Sequence, residues 1–217
     1  MSGMRWPILA CVLTGILVAA AGCSGRVKHS IEQGRINGNT YANDFFGLSI
    51  EVPAGWQIAS PEMKEQVTAA GEEVVAGNNP ALKSAVRGSK KTTYYLLMTS
   101  QHPMGAAVAF NSNYSLMAED ISAAPGVKTG KDYLSGLQQF MSQSQMSVAY
   151  TQPPYECKLA GETFHRLDAR VTLKQTTVDQ CYIVTIRNGY ALALILSWTD
   201  PAAYQTMEKS IQTLKLQ

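Results

Sequence analysis

The chain has 217 residues, of which 46% are hydrophobic and 16% charged. That balance suits one folded domain with a short extension and excludes a disordered chain. Eighteen Lys and Arg against 16 Asp and Glu give a net charge of only +2, which lacks the clustered basic excess of a nucleic-acid binder.

The N-terminus reads first as an export signal. Met1 to Pro7 carry one charge, Arg5, and Ile8 to Ala19 are almost wholly apolar. Twelve residues as a helix reach only about 18 Å, short of the roughly 30 Å hydrocarbon core of a bilayer. A positive start, a short apolar stretch and the small residues Ala20, Ala21 and Gly22 are the pattern of a secretory signal. Cys23 follows directly, and the segment resembles the bacterial lipoprotein signal, with Ala20 where Leu is commonest. The resemblance implies cleavage between Gly22 and Cys23 and lipid attached at Cys23, anchoring the chain to a membrane of the cell envelope. The expected organisation is a signal over 1–22, a lipidated flexible tether over 23–39 and one domain over 40–217. Ser24 to Asn39 are polar and contain Gly25, Gly34 and Gly38, as a tether would. Loss of the signal leaves 17 basic and 16 acidic side chains, so no strongly acidic partner is called for.

Of four Cys, Cys11 leaves with the signal and Cys23 is the lipid site. An exporting compartment would let Cys157 and Cys181 pair. In a simple meander, however, Cys157 faces Phe164 and Cys181 faces Arg170. That offset is about 20 Å along a strand, beyond the roughly 7 Å a bridge tolerates between Cα atoms. No disulfide is expected.

Along the folded part, residues 40–46 and 48–52 form two short strands about Gly47. Leu48, Ile50 and Val52 alternate with Ser49 and Glu51. Ser60-Pro61 is a helix start, and the helix runs to Ala76 before Gly77-Asn78-Asn79-Pro80. Residues 80–91 form a short helix and loop. Strands are expected over 92–99 and 106–113, then a helix over 131–145 with Tyr133, Leu137, Phe140 and Met141 on one stripe. After residues 146–151, four strands follow at 155–159, 163–173, 178–187 and 190–198. Asn188-Gly189 signals a hairpin between the last two. Residues 190–197 are apolar at almost every position and should be covered on both faces. Asp200-Pro201 starts a final helix burying Tyr204, Met207, Ile211 and Leu214. The order gives one α+β domain, an α/β/α sandwich with a central antiparallel sheet and helices on both faces.

The run Tyr41-Ala-Asn-Asp-Phe-Phe-Gly-Leu-Ser-Ile-Glu-Val-Pro-Ala-Gly-Trp56 resembles the opening of the PsbP-like superfamily, which includes bacterial lipoproteins of the DcrB type. Gly161-Glu-Thr-Phe164, Asn188-Gly189 and the final helix resemble its close. The resemblance spans residues 40–217 and implies the same sandwich. It also implies a protein that binds other proteins rather than an enzyme, and it supplies no catalytic motif.

The residues themselves offer little chemistry. Gly126-Val-Lys-Thr-Gly-Lys-Asp132 has three residues between its glycines where a phosphate loop needs four, and Asp132 stands where that loop needs Ser or Thr. It reads as a loop entering a helix. His29, His102 and His165 show no zinc-ligand spacing, and no Gly-x-Ser-x-Gly occurs. The Met of the folded part are dispersed, as core filler would be. No metal, cofactor, catalytic residue or nucleic-acid site is expected. Arg166, Asp168, Arg170 and Thr172 fall on one strand face opposite His165, and either form a solvated face or a polar docking surface for an envelope protein partner. As a docking surface, reversing Arg166 and Arg170 together should weaken binding without unfolding the domain. The function expected is that of a lipid-anchored, non-enzymatic assembly or stabilising factor. The alternative is a small-molecule-binding domain or hydrolase with a dispersed site.

Overall fold

A computed structural model describes Ile31, residues 33–173 and residues 175–217. Gly22 and Cys23 lie outside these residues. The strands, in chain order with the helices, are β1 (Arg35–Asn37), β2 (Thr40–Asn43), β3 (Leu48–Glu51), β4 (Gln57–Ile58), α1 (Pro61–Ala76), α2 (Pro80–Ser89), β5 (Thr93–Ser100) and β6 (Asn113–Asp120). They continue as α3 (Gly130–Met141), β7 (Ser147–Tyr150), β8 (Tyr155–Leu159), β9 (Glu162–Leu173), β10 (Thr176–Arg187), β11 (Tyr190–Trp198), α4 (Pro201–Ile211) and β12 (Lys215–Leu216).

Each helix starts where its sequence supplies acceptors for orphan N–H groups. Ser60 Oγ accepts from Met63 N, Asn79 Oδ1 from Ala81 N and Leu82 N, and Asp200 Oδ1 from Ala202 N. Each of these caps precedes a proline, whose missing N–H costs nothing in the first turn. Thr129 and Asp132 cap α3 reciprocally, Thr129 Oγ1 accepting from Asp132 N and Asp132 Oδ2 from Thr129 N.

The main sheet is antiparallel, in the order β4-β5-β6-β11-β10-β9, with β7 and β8 side by side along the outer edge of β9. One face is packed by α3 and the C-terminal parts of α1 and α2, through Tyr133, Leu134, Leu137 and Phe140 against Leu167, Tyr182, Val184 and Ala193. The other is packed by α4 and the β2–β3 hairpin, through Met207, Ile211, Phe46 and Ile50 against Phe164, Ile183, Leu194 and Leu196. The chain is thus an α+β sandwich with helices on both faces of an antiparallel sheet. β11 is buried at all but its end residues, as a strand covered on both faces must be.

Three features depart from the sequence expectation. First, β2 and β3 leave the main sheet and form a separate four-stranded sheet, β1-β2-β3-β12. Second, the chain is already folded before residue 40: Ile31 is 6% exposed within the core, and Arg35–Asn37 pair with Thr40–Ala42. Ile31 and Arg35–Asn37, expected in the tether, therefore belong to the folded part. Third, the strand expected over 106–113 is a loop, and the real strand is β6. Tyr114 to Glu119 are buried at every position, the polar Ser115 and Glu119 included, whereas the more uniformly apolar run 106–110 lies in the loop. The apolar loop before them is held by Asn111, whose side chain accepts from His102 N and donates to His102 O at 2.9 and 2.8 Å.

The Gly-rich segment entering α3 is explained by packing. A Cβ on Gly130 would lie 2.2 Å from the carbonyl oxygen of Val184 in β10. Only glycine lets the α3 N-terminus rest directly on the sheet. β4 covers only the Thr99–Ser100 end of the outer edge of β5, and the pairing of β5 with β6 shifts register between Tyr95 and Leu97. Lys64 of α1 closes this edge, donating from Nζ to the carbonyls of Tyr95 and Leu96 at 3.0 and 2.8 Å. Desolvation depresses its pKa.

Candidate functional site

Arg166, Asp168, Arg170 and Thr172 do share one strand face, the α4 side of β9, but they divide into two environments. Arg166 and Asp168 are largely covered, their side chains 19% and 22% exposed. Arg166 Nε donates to both Asp168 oxygens at 2.9 and 3.1 Å. Its Nη2 donates to Tyr204 Oη at 3.0 Å, and its Nη1 lies 3.6 Å from Glu208 Oε1. Tyr155 Oη of β8 donates to Asp168 Oδ2 at 2.8 Å, and Tyr204 Oη donates to Glu208 Oε1 at 2.6 Å. The Tyr204 ring is stacked on Trp198, with centroids 4.3 Å apart. This network ties α4 to the β8–β9 edge, and its polar groups satisfy one another.

The electrostatics follow from that closure. Burial opposes the charge on Arg166, but its bonds to Asp168 and the other neighbours outweigh it and raise its pKa. Burial and the bond to Asp168 push Tyr155 up to about 12. Burial, then the bond to Glu208, raises Tyr204. Both phenols therefore stay protonated donors at neutral pH.

The two cysteines flank this network as free thiols. Cys157 is opposite Phe164, as expected, but Cys181 is opposite Asp168 rather than Arg170. The offset is four residues, about 13 Å along the strand, and still too long for a bridge. Burial raises the pKa of both thiols, that of Cys181 well above the ordinary thiol value.

Arg170 and Thr172 belong to a different surface. Residues directly opposite in an antiparallel pair share a face. The register therefore lines up Ala149, Arg170, Asp179 and Trp198 in one row across β7, β9, β10 and β11. Ser147, Thr172 and Thr177 form the next row. Ser147, Ala149, Arg170 and Thr177 are exposed, and Thr172, Asp179 and Trp198 half-buried. Arg170 Nε donates to Asp179 Oδ1 at 2.7 Å, and the hydroxyls of Thr172 and Thr177 are 2.9 Å apart. The result is a sheet-face patch of mostly small and hydroxyl side chains, with the Arg170–Asp179 ion pair and a tryptophan at its border. Sequence reading found its β9 members from period-two spacing. Ser147, Ala149, Thr177, Asp179 and Trp198 join only through strand register.

The α3-side core also holds a carboxylate. Glu119 is buried and accepts from Tyr133 Oη at 2.6 Å. Burial, reinforced by Glu119, holds the Tyr133 pKa well above the ordinary phenol value. Beside it on β5, Thr93 Oγ1 is buried without a hydrogen-bond partner. His165 and His102 are both half-buried. Among the described residues, no group of three or more His, Cys, Asp or Glu is arranged to hold a metal ion, and no helix is long and apolar enough to cross a membrane.

No protein-family model matches the chain, and no curated protein matches it. Among solved structures, it is similar to the solution structure of cyanobacterial PsbP (CyanoP) from Synechocystis sp. PCC 6803. The two are 14% identical, the match covers 91% of this chain and 98% of that one, and the TM-score is 0.47. It is also similar to PA94, a protein of unknown function from Pseudomonas aeruginosa, at 16% identity over 46% of this chain and 71% of that one, with a TM-score of 0.37. The first bears the name of the family that the sequence resembles. Likeness at this distance says nothing of function, and the α+β class rests on the sheet and helices described above.

Proposed function

We propose that this protein is a lipid-anchored, non-enzymatic docking domain of the cell envelope, attached to a membrane through Cys23 and binding a protein partner through the β7–β9–β10 patch. The observation that carries this reading is the two-row patch of Ala149, Arg170, Asp179 and Trp198 with Ser147, Thr172 and Thr177. It is the continuation of the sheet face that α4 packs, left open to solvent where Ser147, Ala149, Arg170 and Thr177 are exposed. An exposed sheet face of mostly short side chains suits a protein surface better than a cleft for a small ligand. The chemically richest cluster favours a structural role, since Arg166, Asp168, Tyr155, Tyr204 and Glu208 are engaged with one another.

The double reversal of Arg166 and Arg170 is the wrong test, because a carboxylate at 166 would face Asp168 and Glu208 inside the network. Arg170→Gln with Thr172→Arg alters the patch without setting a carboxylate opposite Asp179. Crosslinking in intact cells followed by tagged pull-down should recover one near-stoichiometric protein with the wild type and little of it with this variant, at equal thermal stability. Equal recovery from both would refute the patch as the docking surface.

A further inference from the structure

The folded part begins nearer to Cys23 than the sequence suggested, and this constrains how a lipidated chain meets its membrane. Ile31 is buried and belongs to the same core cluster as Tyr41 and Phe46, on the α4 side of the sheet. Tyr41 Oη donates to Gln33 O at 2.9 Å. A Cβ on Gly34 would lie 2.5 Å from Ala42 O, so the chain here is pressed against β2. Arg35 then forms an ion pair with Asp44 at 2.5 Å. Eight residue steps from Cys23 to Ile31 can reach at most about 29 Å, whatever their conformation.

The place where the chain joins the domain is also fixed relative to the main sheet. Arg187 Nε donates to Phe46 O and Asn188 Nδ2 to Phe45 O, both at 2.7 Å. Phe45, Phe46 and Tyr190 meet edge to face. The turn after β2 is thereby locked to the Asn188–Gly189 end of β10 and β11. The docking patch lies at the opposite end of the same strands. Glu162, 3.8 Å from Arg187, marks the near end of β9, and Thr172 is ten residues farther along it, about 33 Å.

Resting on the proposed lipidation of Cys23, we infer that the domain sits on its bilayer by the Asn188–Gly189 end and presents the patch at its membrane-distal end. The anchor is too short for the domain to turn over freely. The partner it fits is a polypeptide surface that stands clear of the bilayer, not the membrane-embedded part of a neighbour.

The test uses the full lipidated chain in phospholipid vesicles carrying a headgroup-linked energy acceptor. A donor dye is placed at Glu162→Cys or at Thr177→Cys, each with Cys157→Ser and with Cys181 protected by burial. Transfer from position 162 should exceed that from position 177 several-fold, and a long Gly-Ser insertion before Ile31 should shrink the difference. Equal or reversed transfer, in protein whose mass shows the acyl chains, overturns the orientation and leaves the anchor and the patch intact. An intact mass without acyl chains overturns the anchor and the orientation together.

Discussion

Gly130→Ala should destabilise the domain, although alanine is the better helix former. The added Cβ would lie 2.2 Å from Val184 O, 2.9 Å from Val184 C and 3.2 Å from His165 Cβ. Relief requires the start of α3 to retreat from the sheet by about 1 Å, which loosens a share of the dispersion contacts behind it. Tyr133, Leu134, Leu137, Phe140 and Met141 all pack from this helix into the core. Overpacking of this kind costs about 1–3 kcal/mol, and the helix-propensity gain returns at most about 1. The net expectation is a loss of about 1 kcal/mol, or about 0.5 M in the urea midpoint for a slope near 2 kcal/mol/M. Gly88→Ala in α2 is the internal control. Nothing lies within 4 Å of its Cβ position, so the same substitution should stabilise by about 0.5–1 kcal/mol. Urea unfolding followed by circular dichroism measures both. A Gly130→Ala midpoint at or above that of the wild type would refute the close-approach argument and reopen the helix start as free space.

Three further outcomes are expected. Arg166→Met should cost about 2 kcal/mol, less than opening a fully sealed ion pair because water reaches a fifth of it, whereas Arg170→Met should leave the urea midpoint unchanged; a reversed order would mean that the Arg166 network is not what holds α4. Alkaline titration should unfold the protein. Tyr114 is raised to about 12 by burial, so its contribution is complete below the unfolded value of 10.0 and is lost as pH rises through about 12, amounting to about 3 kcal/mol; phenolate absorbance that rises with full amplitude near pH 10.0 before any loss of structure would contradict this. Cys181 should react with a thiol reagent only at the rate of global unfolding, while half-buried Cys157 reacts faster; equal rates would show that the α4 side of the sheet opens locally.

Much of this molecule is legible along the chain. Helix starts are carried by nearby residues: Ser60-Pro61, Asp200-Pro201 and the Thr129–Asp132 pair cap their helices through contacts spanning two or three positions. The Asn188-Gly189 hairpin is equally local, with both residues at positive φ. The β9–β10–β11 meander follows from strands joined by tight turns, and the helix stripes follow from their period. β6 was not legible in its place, because the apolar loop 106–110 precedes it and its own run is broken by Ser115 and Glu119, both of which the fold buries. The second sheet was not legible either, since β12 reaches β3 only after the whole chain has folded. The two fates of β9 were hidden for a related reason. Arg166 and Arg170 look equivalent at period two, but α4 covers one and stops short of the other. The composition of the patch depends on register among β7, β9, β10 and β11, residues far apart in the chain. What the sequence determined by itself is what short-range sterics and hydrogen bonding decide: the segments, their caps, their turns and the apolar faces that must be buried. Which of those faces meet, where the chain joins the domain, and which polar residues stay in water were decided only by tertiary packing, because each depends on surfaces brought together from distant positions.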